Sequence, residues 1–283
     1  MMKIIPALKI LEEGSKPPVG YQKITCHMIF DVKMDFSRKA RFVAGGHRTE
    51  DPDFSTYAST VSRESVRIAF LMAALNKVDI LMADIGNAYL NAPCMEKVYF
   101  RGGKELGKYH GRYIIIKQAL YGLKSSAAAW GNHMASTLET MNFTRSLADN
   151  DVWLRPTMSD KNKKYYEYVL VYVDDILVTS LDPKKIMDGI GAVYRLKDEP
   201  SIQSIYLGSN IKEWKYPGTG EVRCWGMSSY KYVNDAIKVV ELELSRVNKR
   251  LKGKVKTPMD ARYRPELDTT PELGPEEHHY FKI

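Results

Sequence analysis

Apolar residues in this chain follow two spacings, and their order along the sequence predicts the elements. After a Pro-Pro-Val-Gly turn at residues 17–20, the segment 24–32 alternates as a strand does. A second strand, Arg38-Lys39-Ala40-Arg41-Phe42-Val43-Ala44, leads into Gly45 and Gly46. Ser62 is suited to capping a helix, and beyond it Val66, Ala69, Phe70, Ala73 and Ala74 recur on one buried helical face. Residues 80–83 are apolar throughout, as in a strand covered on both faces, and they deliver an acid, Asp84, at their end. Residues 101–111, rich in Gly and Lys, read as a loop, and 113–116 as a short strand. The segment QALYGLKSSAAAW turns into a helix with Trp130, Met134 and Leu138 on a common face.

Two β-rich runs then flank Asp174 and Asp175. A helix follows from about Pro183 with Ile186, Met187, Ile190 and Val193, then one strand over 204–214. A last amphipathic helix starts near Ser228, with Tyr232, Ala236, Ile237 and Val240 on one side. From Gly253 the chain is rich in Pro and Glu with weak periodicity, and is expected to be loosely ordered. Helices and strands mix without a βαβ rhythm or an internal repeat, which gives an α+β class.

Composition narrows the function only slightly. The 283 residues are 44% hydrophobic, enough for one large domain or two small ones. Lys and Arg number 42 against 34 Asp and Glu, a formal charge of +8 that modestly favours a phosphate-bearing partner. Cys26, Cys94 and Cys224 lie far apart with no CxxC spacing, so neither a disulfide framework nor a zinc cluster is expected, and a reducing, intracellular setting is. The longest apolar stretch, 68–75, is far below the roughly 20 residues that span a bilayer, and the amino terminus lacks the pattern of a secretory signal.

The chemistry concentrates in YYEYVLVYVDDILVTS, residues 165–180. Val, Tyr and Ile on both sides disfavour helix and leave Asp174 and Asp175 at the tight turn of a hairpin. Adjacent carboxylates repel, and a divalent cation relieves that repulsion; hard oxygen ligands suit Mg²⁺. A polar hairpin tip without function is the plain alternative, since Asp is a favoured turn residue. Asp84 changes the balance by supplying a third carboxylate. Three acids are what a two-metal site for nucleotidyl transfer needs, with ions about 3.5–4 Å apart.

With those residues in view, the sequence resembles the reverse transcriptase domain of Copia-type LTR retrotransposons. Tyr172-Val173-Asp174-Asp175 is similar to the YxDD signature in its YVDD form, and Asp84-Ile85-Gly86-Asn87-Ala88-Tyr89 to the segment bearing the remaining catalytic Asp. KARFVAGG, QALYGLKSSAAAW and IYLGSNI follow the family's order. The resemblance implies a right-hand polymerase with an antiparallel palm sheet. It implies a reverse transcriptase domain over 1–252: fingers at about 24–80 and 102–125, palm at about 81–101 and 126–219, a partial thumb at about 220–252, and a connection-like tail at 253–283.

By the same resemblance Asp84, Asp174 and Asp175 hold two Mg²⁺ ions and are catalytic. Tyr89 is an aromatic gate against a 2′-hydroxyl, with a core aromatic as its ordinary alternative. Lys39 and Arg41 meet the triphosphate, though Arg38, Lys39 and Arg41 are not separable from sequence. Tyr121, Gly122 and Tyr172 border the nucleotide; retroviral relatives carry Gln-Gly where Tyr121-Gly122 stands, followed by a Lys and a Ser matched here by Lys124 and Ser126. Tyr206, Leu207 and Gly208 form the primer grip, and Lys231 and Lys238 lie on the thumb helix.

The function implied is RNA-directed DNA polymerisation on an RNA template with a DNA or RNA primer and deoxynucleotides. It would take place in a cytoplasmic particle or the nucleus, beside integrase and RNase H domains of the same polyprotein. A metal-dependent nuclease on the same acids, and an inactive or domesticated fragment that at most binds nucleic acid, are the competing readings.

Overall fold

The computed structural model describes residues 5–32, 38–202, 204–215, 223–251, 253, 269 and 274. In chain order the strands and helices are β1 (Leu8–Ile10), β2 (Gln22–Lys23), β3 (Cys26–Val32), β4 (Arg38–Ala44), α1 (Arg63–Asn76), β5 (Asp79–Asp84), β6 (Val98–Arg101), β7 (Tyr113–Ile116) and α2 (Ser126–Thr140). They continue with β8 (Thr144–Arg145), β9 (Val152–Met158), β10 (Lys164–Tyr172), β11 (Asp175–Ser180), α3 (Pro183–Val193), β12 (Ile205–Tyr206), β13 (Ser209–Lys215), β14 (Arg223–Ser228) and α4 (Tyr230–Arg246). The class is α+β. The chain divides into two compact units, Met1–Tyr230 and Lys231–Ile283.

A five-stranded sheet in the order β5-β11-β10-β9-β8 is the centre of the first unit, and all of its pairs are antiparallel. Its strands alternate between two cores. Val169, Val171, Ile176 and Val178 meet Trp130, Met134 and Leu138 of α2 and Ile186, Met187 and Ile190 of α3 on one face. Ile80, Met82, Leu170 and Leu177 meet Val66, Phe70 and Ala73 of α1 on the other, together with Tyr206 and Ile211. The period-2 and period-3.6 patterns therefore interlock. Each fully buried aliphatic side chain contributes roughly 1.5–3 kcal/mol, which explains why β10 and β11 read as continuous apolar runs. A third core, with Phe42, Phe100, Ile114 and Leu120, joins β4 to the sheet β1-β7-β6-β2.

Local rules hold at the starts of α1 and α3. Ser62 caps α1 by accepting from Ser65 N, and Asp182 caps α3 ahead of Pro183 by accepting from Lys185 N. Two expectations need correction, and three strands come in addition. The strand expected over 204–214 is a hairpin, because Leu207 (φ 47) and Gly208 (φ 73) both take left-handed conformations and close a two-residue turn between β12 and β13. Residues 144–158 supply β8 and β9, which close one side of the central sheet, and β14 extends the β12-β13 pair; neither was anticipated. The loop at 101–111 contains a short helical turn, Lys104–Tyr109. The tail from 253 lies outside the described residues except for Gly253, Thr269 and Gly274.

Candidate functional site: an acid cluster at one end of the central sheet

Sheet register brings the three acids together. Asp84, the last residue of β5, is the direct cross-strand partner of Asp175, the first residue of β11. Opposed residues of an antiparallel pair share a face with Cβ atoms about 4.5–5.5 Å apart. The two acids were expected together on the turn, but the ladder runs on to Tyr172↔Asp175, so only Val173 and Asp174 form it.

Val173 sits at φ 57, a conformation that costs a β-branched residue of order 1–3 kcal/mol. The Trp130 indole N–H donates to the Val173 carbonyl at 2.7 Å, and the Ile85 N–H donates to the Asp174 carbonyl at 2.7 Å. These two bonds tie the strained turn to α2 and to the end of β5.

The site's electrostatics follow from crowding. Burial, then the charges of Asp174 and Asp84, push the Asp175 carboxyl up to about 6, against the opposing pull of Lys197. Asp84 is raised too, by burial first and then by Asp174, again opposed by Lys197. The Lys197 ammonium lies 2.5 Å from the Asp84 carboxylate and 3.3 Å from Asp174 Oδ2. Burial lowers the Lys197 pKa, but its two acid partners outweigh that and hold it above its ordinary value.

Nothing in the sequence pattern flags Lys197. It reaches the site because residues 195–197 run alongside β5, with Gly86 N bonded to Arg195 O at 2.8 Å and Lys197 N to Asp84 O at 2.8 Å. That is a backbone event with no side-chain signature.

The other expected residues divide into those at the cluster and those that support it. Tyr89 lies on a short helical turn, Ala88–Asn91, entered through Asn87 at φ 55, a conformation asparagine tolerates. Its ring packs on Tyr121 with centroids 4.8 Å apart. Burial raises both phenols, and both feel the Asp174 charge. Tyr121 is pinned from behind: its carbonyl accepts from Ala44 N at 2.8 Å, and Gly122 (φ 92) approaches the Ala44 carbonyl so closely that any Cβ would collide with it. Gly122 thus acts through backbone shape.

On β4, Lys39 and Arg41 share the face opposite the buried Phe42, and Arg38 falls on Phe42's side. Arg41, which pairs with Asp31 at 3.8 Å, carries its charge to the Tyr121 hydroxyl and so stands toward the cluster. Tyr172 is partly exposed at the end of β10. Lys124 is occupied elsewhere, 2.7 Å from both Thr49 O and Asp51, and Ser126 is buried against Leu120 O at 2.6 Å. Tyr206 is a core residue, 2% exposed, with a buried hydroxyl lacking a hydrogen-bond partner and lifted far above its ordinary pKa by burial and by Asp175. Leu207 and Gly208 form the turn above it.

The fit of the cluster to a divalent cation rests on two features. Asp84 Oδ1 is buried and faces the Lys197 ammonium at 2.5 Å without a hydrogen bond of good geometry, so a positive charge already stands beside this hard oxygen where a cation would sit. Burial, with the charges of Asp174 and Asp84, also raises the Asp175 carboxyl to about 6, a cost that a bound cation would relieve. Among the described residues no three acidic, His or Cys side chains are gathered tightly enough to chelate one ion by themselves.

Over residues 13–250 the chain matches the family described as reverse transcriptase (RNA-dependent DNA polymerase). It belongs to that family, in its Copia-type branch. It is 28% identical over 208 residues to the Retrovirus-related Pol polyprotein from transposon RE1 of Arabidopsis thaliana, covering 69% of this chain and 14% of that protein. It is 32% identical over 201 residues to the Transposon Ty1-NL2 Gag-Pol polyprotein of Saccharomyces cerevisiae, covering 68% of this chain and 10% of that one. The chain thus spans only about a tenth to a seventh of these relatives. Among solved structures, the foamy viral protease-reverse transcriptase in complex with double-stranded DNA aligns with a TM-score of 0.45 and 14% identity, over 87% of this chain and 37% of that one.

Proposed function

We propose that the chain is the RNA-directed DNA polymerase domain of a Copia-type retrotransposon, extending a primer 3′-hydroxyl with deoxynucleotides on an RNA template. The observation that carries this reading is the cross-strand pairing of Asp84 with Asp175, with Asp174 beside them on a strained turn, in a chain of the reverse transcriptase family. In this reading the central sheet is the palm, β3 and β4 belong to the fingers, the Leu207–Gly208 turn presents the primer end, and α4 belongs to a thumb.

Asp84, Asp174 and Asp175 would hold Mg²⁺, which when bound supplies charge neutralisation at the attacking hydroxyl and the leaving pyrophosphate. Tyr89, backed by Tyr121, closes the space under the sugar. Arg41, with Lys39 on the same strand face, neutralises the triphosphate. Lys197 offsets part of the repulsion among the acids and so positions Asp84 and Asp174. Catalysis then rests on positioning and on charge complementarity rather than on covalent chemistry.

The relatives are polyproteins, so integrase and RNase H domains are the natural partners, and a retrotransposon particle is the natural setting. No described helix is long and apolar enough to cross a membrane. The test is primer extension on an RNA template with Mg²⁺, comparing the wild type with Asp174→Asn, which removes charge and keeps shape. Extension that the variant loses supports the polymerase. A folded wild type that cleaves the template without nucleotides points to a nuclease, and one that does neither points to a remnant.

A further inference from the structure

At the end of the central sheet away from the acids, the β9–β10 hairpin carries the sequence SDKNKKYYEY, residues 159–168. Its tip is well built: Asn162 takes φ 56, Ser159 N donates to Lys163 O at 2.9 Å, and Ser159 Oγ accepts from Lys163 N at 3.1 Å. Lys161, Lys163 and Lys164 are exposed, and none forms an ion pair among the described residues. Two hollows of about 600 and 390 Å³ share Lys164, Tyr165 and Tyr166 as walls; the larger is bounded opposite by Met72 and Asn76 at the end of α1.

Three lysines line the larger hollow against a single acid, Asp160. Tyr166 is 51% exposed, and its ring lies 6.4 Å from that of Tyr168, on the same strand face. A lysine run on a convex loop is ordinarily just solvated. Here the lysines border a concave surface with one exposed ring, Tyr166, beside the half-buried Tyr168.

We propose that this groove is a second nucleic-acid site, which takes a short single-stranded segment by its phosphates and stacks its bases on Tyr166 and Tyr168. Cations beside aromatic faces are the composition that single strands require, because every base has a face to stack and every nucleotide a phosphate to neutralise. An acidic peptide would use the lysines and leave the rings and the hollow without a role. The eight steps of β10 from Lys164 to Tyr172 separate the groove from the acid cluster by about 26 Å. The groove is therefore separate from the acid cluster, and the site does not depend on the chemistry proposed above.

The experiment uses the full chain and a fluorescent oligouridylate of about 12 nucleotides, a length within the usual single-strand site sizes. Binding is followed by anisotropy between about 50 and 200 mM salt. Three phosphate contacts predict a salt slope near −2, so the triple variant Lys161→Gln/Lys163→Gln/Lys164→Gln escapes about a 20-fold salt-driven loss that the wild type suffers. It also binds more weakly at low salt. Tyr166→Ala alone weakens binding roughly tenfold.

Both variants keep the wild-type melting temperature and extend a short annealed primer normally, which separates this result from failure of the polymerase reading. Because the acid cluster can also bind RNA, a positional readout accompanies the titration: 5-bromouridine RNA crosslinks to the peptide containing Tyr165 and Tyr166 in wild type and in Asp174→Asn. Unchanged affinity and slope in the folded variants would overturn the proposal. So would crosslinks that avoid this peptide, or an oligoglutamate peptide that binds as tightly as RNA and ignores Tyr166→Ala.

Discussion

Replacing Asp175 by Asn removes one charge from a cluster that is folded against its own repulsion, and the structure sets the size of the effect. The Asp175 carboxyl is pushed from 3.8 up to about 6 by burial and then by Asp174 and Asp84. A folded-state value above the unfolded one means that the folded chain holds this proton more tightly. The resulting stability is fully present below about pH 4 and is lost as pH rises through about 6.

A shift of about two units corresponds to about 3 kcal/mol at 1.36 kcal/mol per unit. Asp175 keeps substantial solvent contact, so screening reduces this to about 1–2 kcal/mol. Asn keeps the shape and never ionises. In EDTA at pH 8, Asp175→Asn is therefore more stable than the wild type by about 1–2 kcal/mol in urea denaturation, and the gap closes near pH 4. Added Mg²⁺ stabilises the wild type by mass action and narrows the difference. A variant no more stable than the wild type at pH 8 without metal would show that Lys197 already cancels the repulsion, and the electrostatic account of the cluster would fall.

Three further outcomes follow from the geometry. Glu167 is 5% exposed and bonded to Arg155 at 2.7 Å and Ser180 at 2.7 Å. Glu167→Gln strands the Arg155 charge and lowers stability by about 2–3 kcal/mol in chemical denaturation. Burial raises Asp149, but hydrogen bonds from Ser65, Ser62 and Asp151 outweigh it and hold the carboxyl below its usual range. Its contribution is thus present above about pH 4 and lost as pH falls further; Asp149→Ala costs about 1–3 kcal/mol at pH 7, and melting curves of the two proteins converge in acid. Tyr121→Ala removes the ring backing Tyr89 and is expected to reduce discrimination against ribonucleotides up to about tenfold, read as a ratio of kcat/KM values; unchanged discrimination in an active variant would show that Tyr89 is held by other contacts.

The sequence by itself determined the β-rich runs of β10 and β11, the cap at Ser62, the helical face of Trp130, Met134 and Leu138, and the presence of Asp84 at a strand end and of Asp174 and Asp175 at a hairpin turn. These are local properties, set by side-chain period and by backbone conformations that neighbouring residues dictate. Register was decided in three dimensions. That Asp175 lies in the ladder opposite Asp84 while Asp174 alone occupies the turn depends on a left-handed Val173, which no propensity favours and which tertiary bonds from Trp130 and Ile85 hold in place. Lys197 joins the acids through backbone pairing of residues 195–197 with the end of β5, and Tyr121 reaches Tyr89 because Gly122 lets the chain press against Ala44. Such contacts link positions tens of residues apart, and their energy exists only once the sheets and helices have packed.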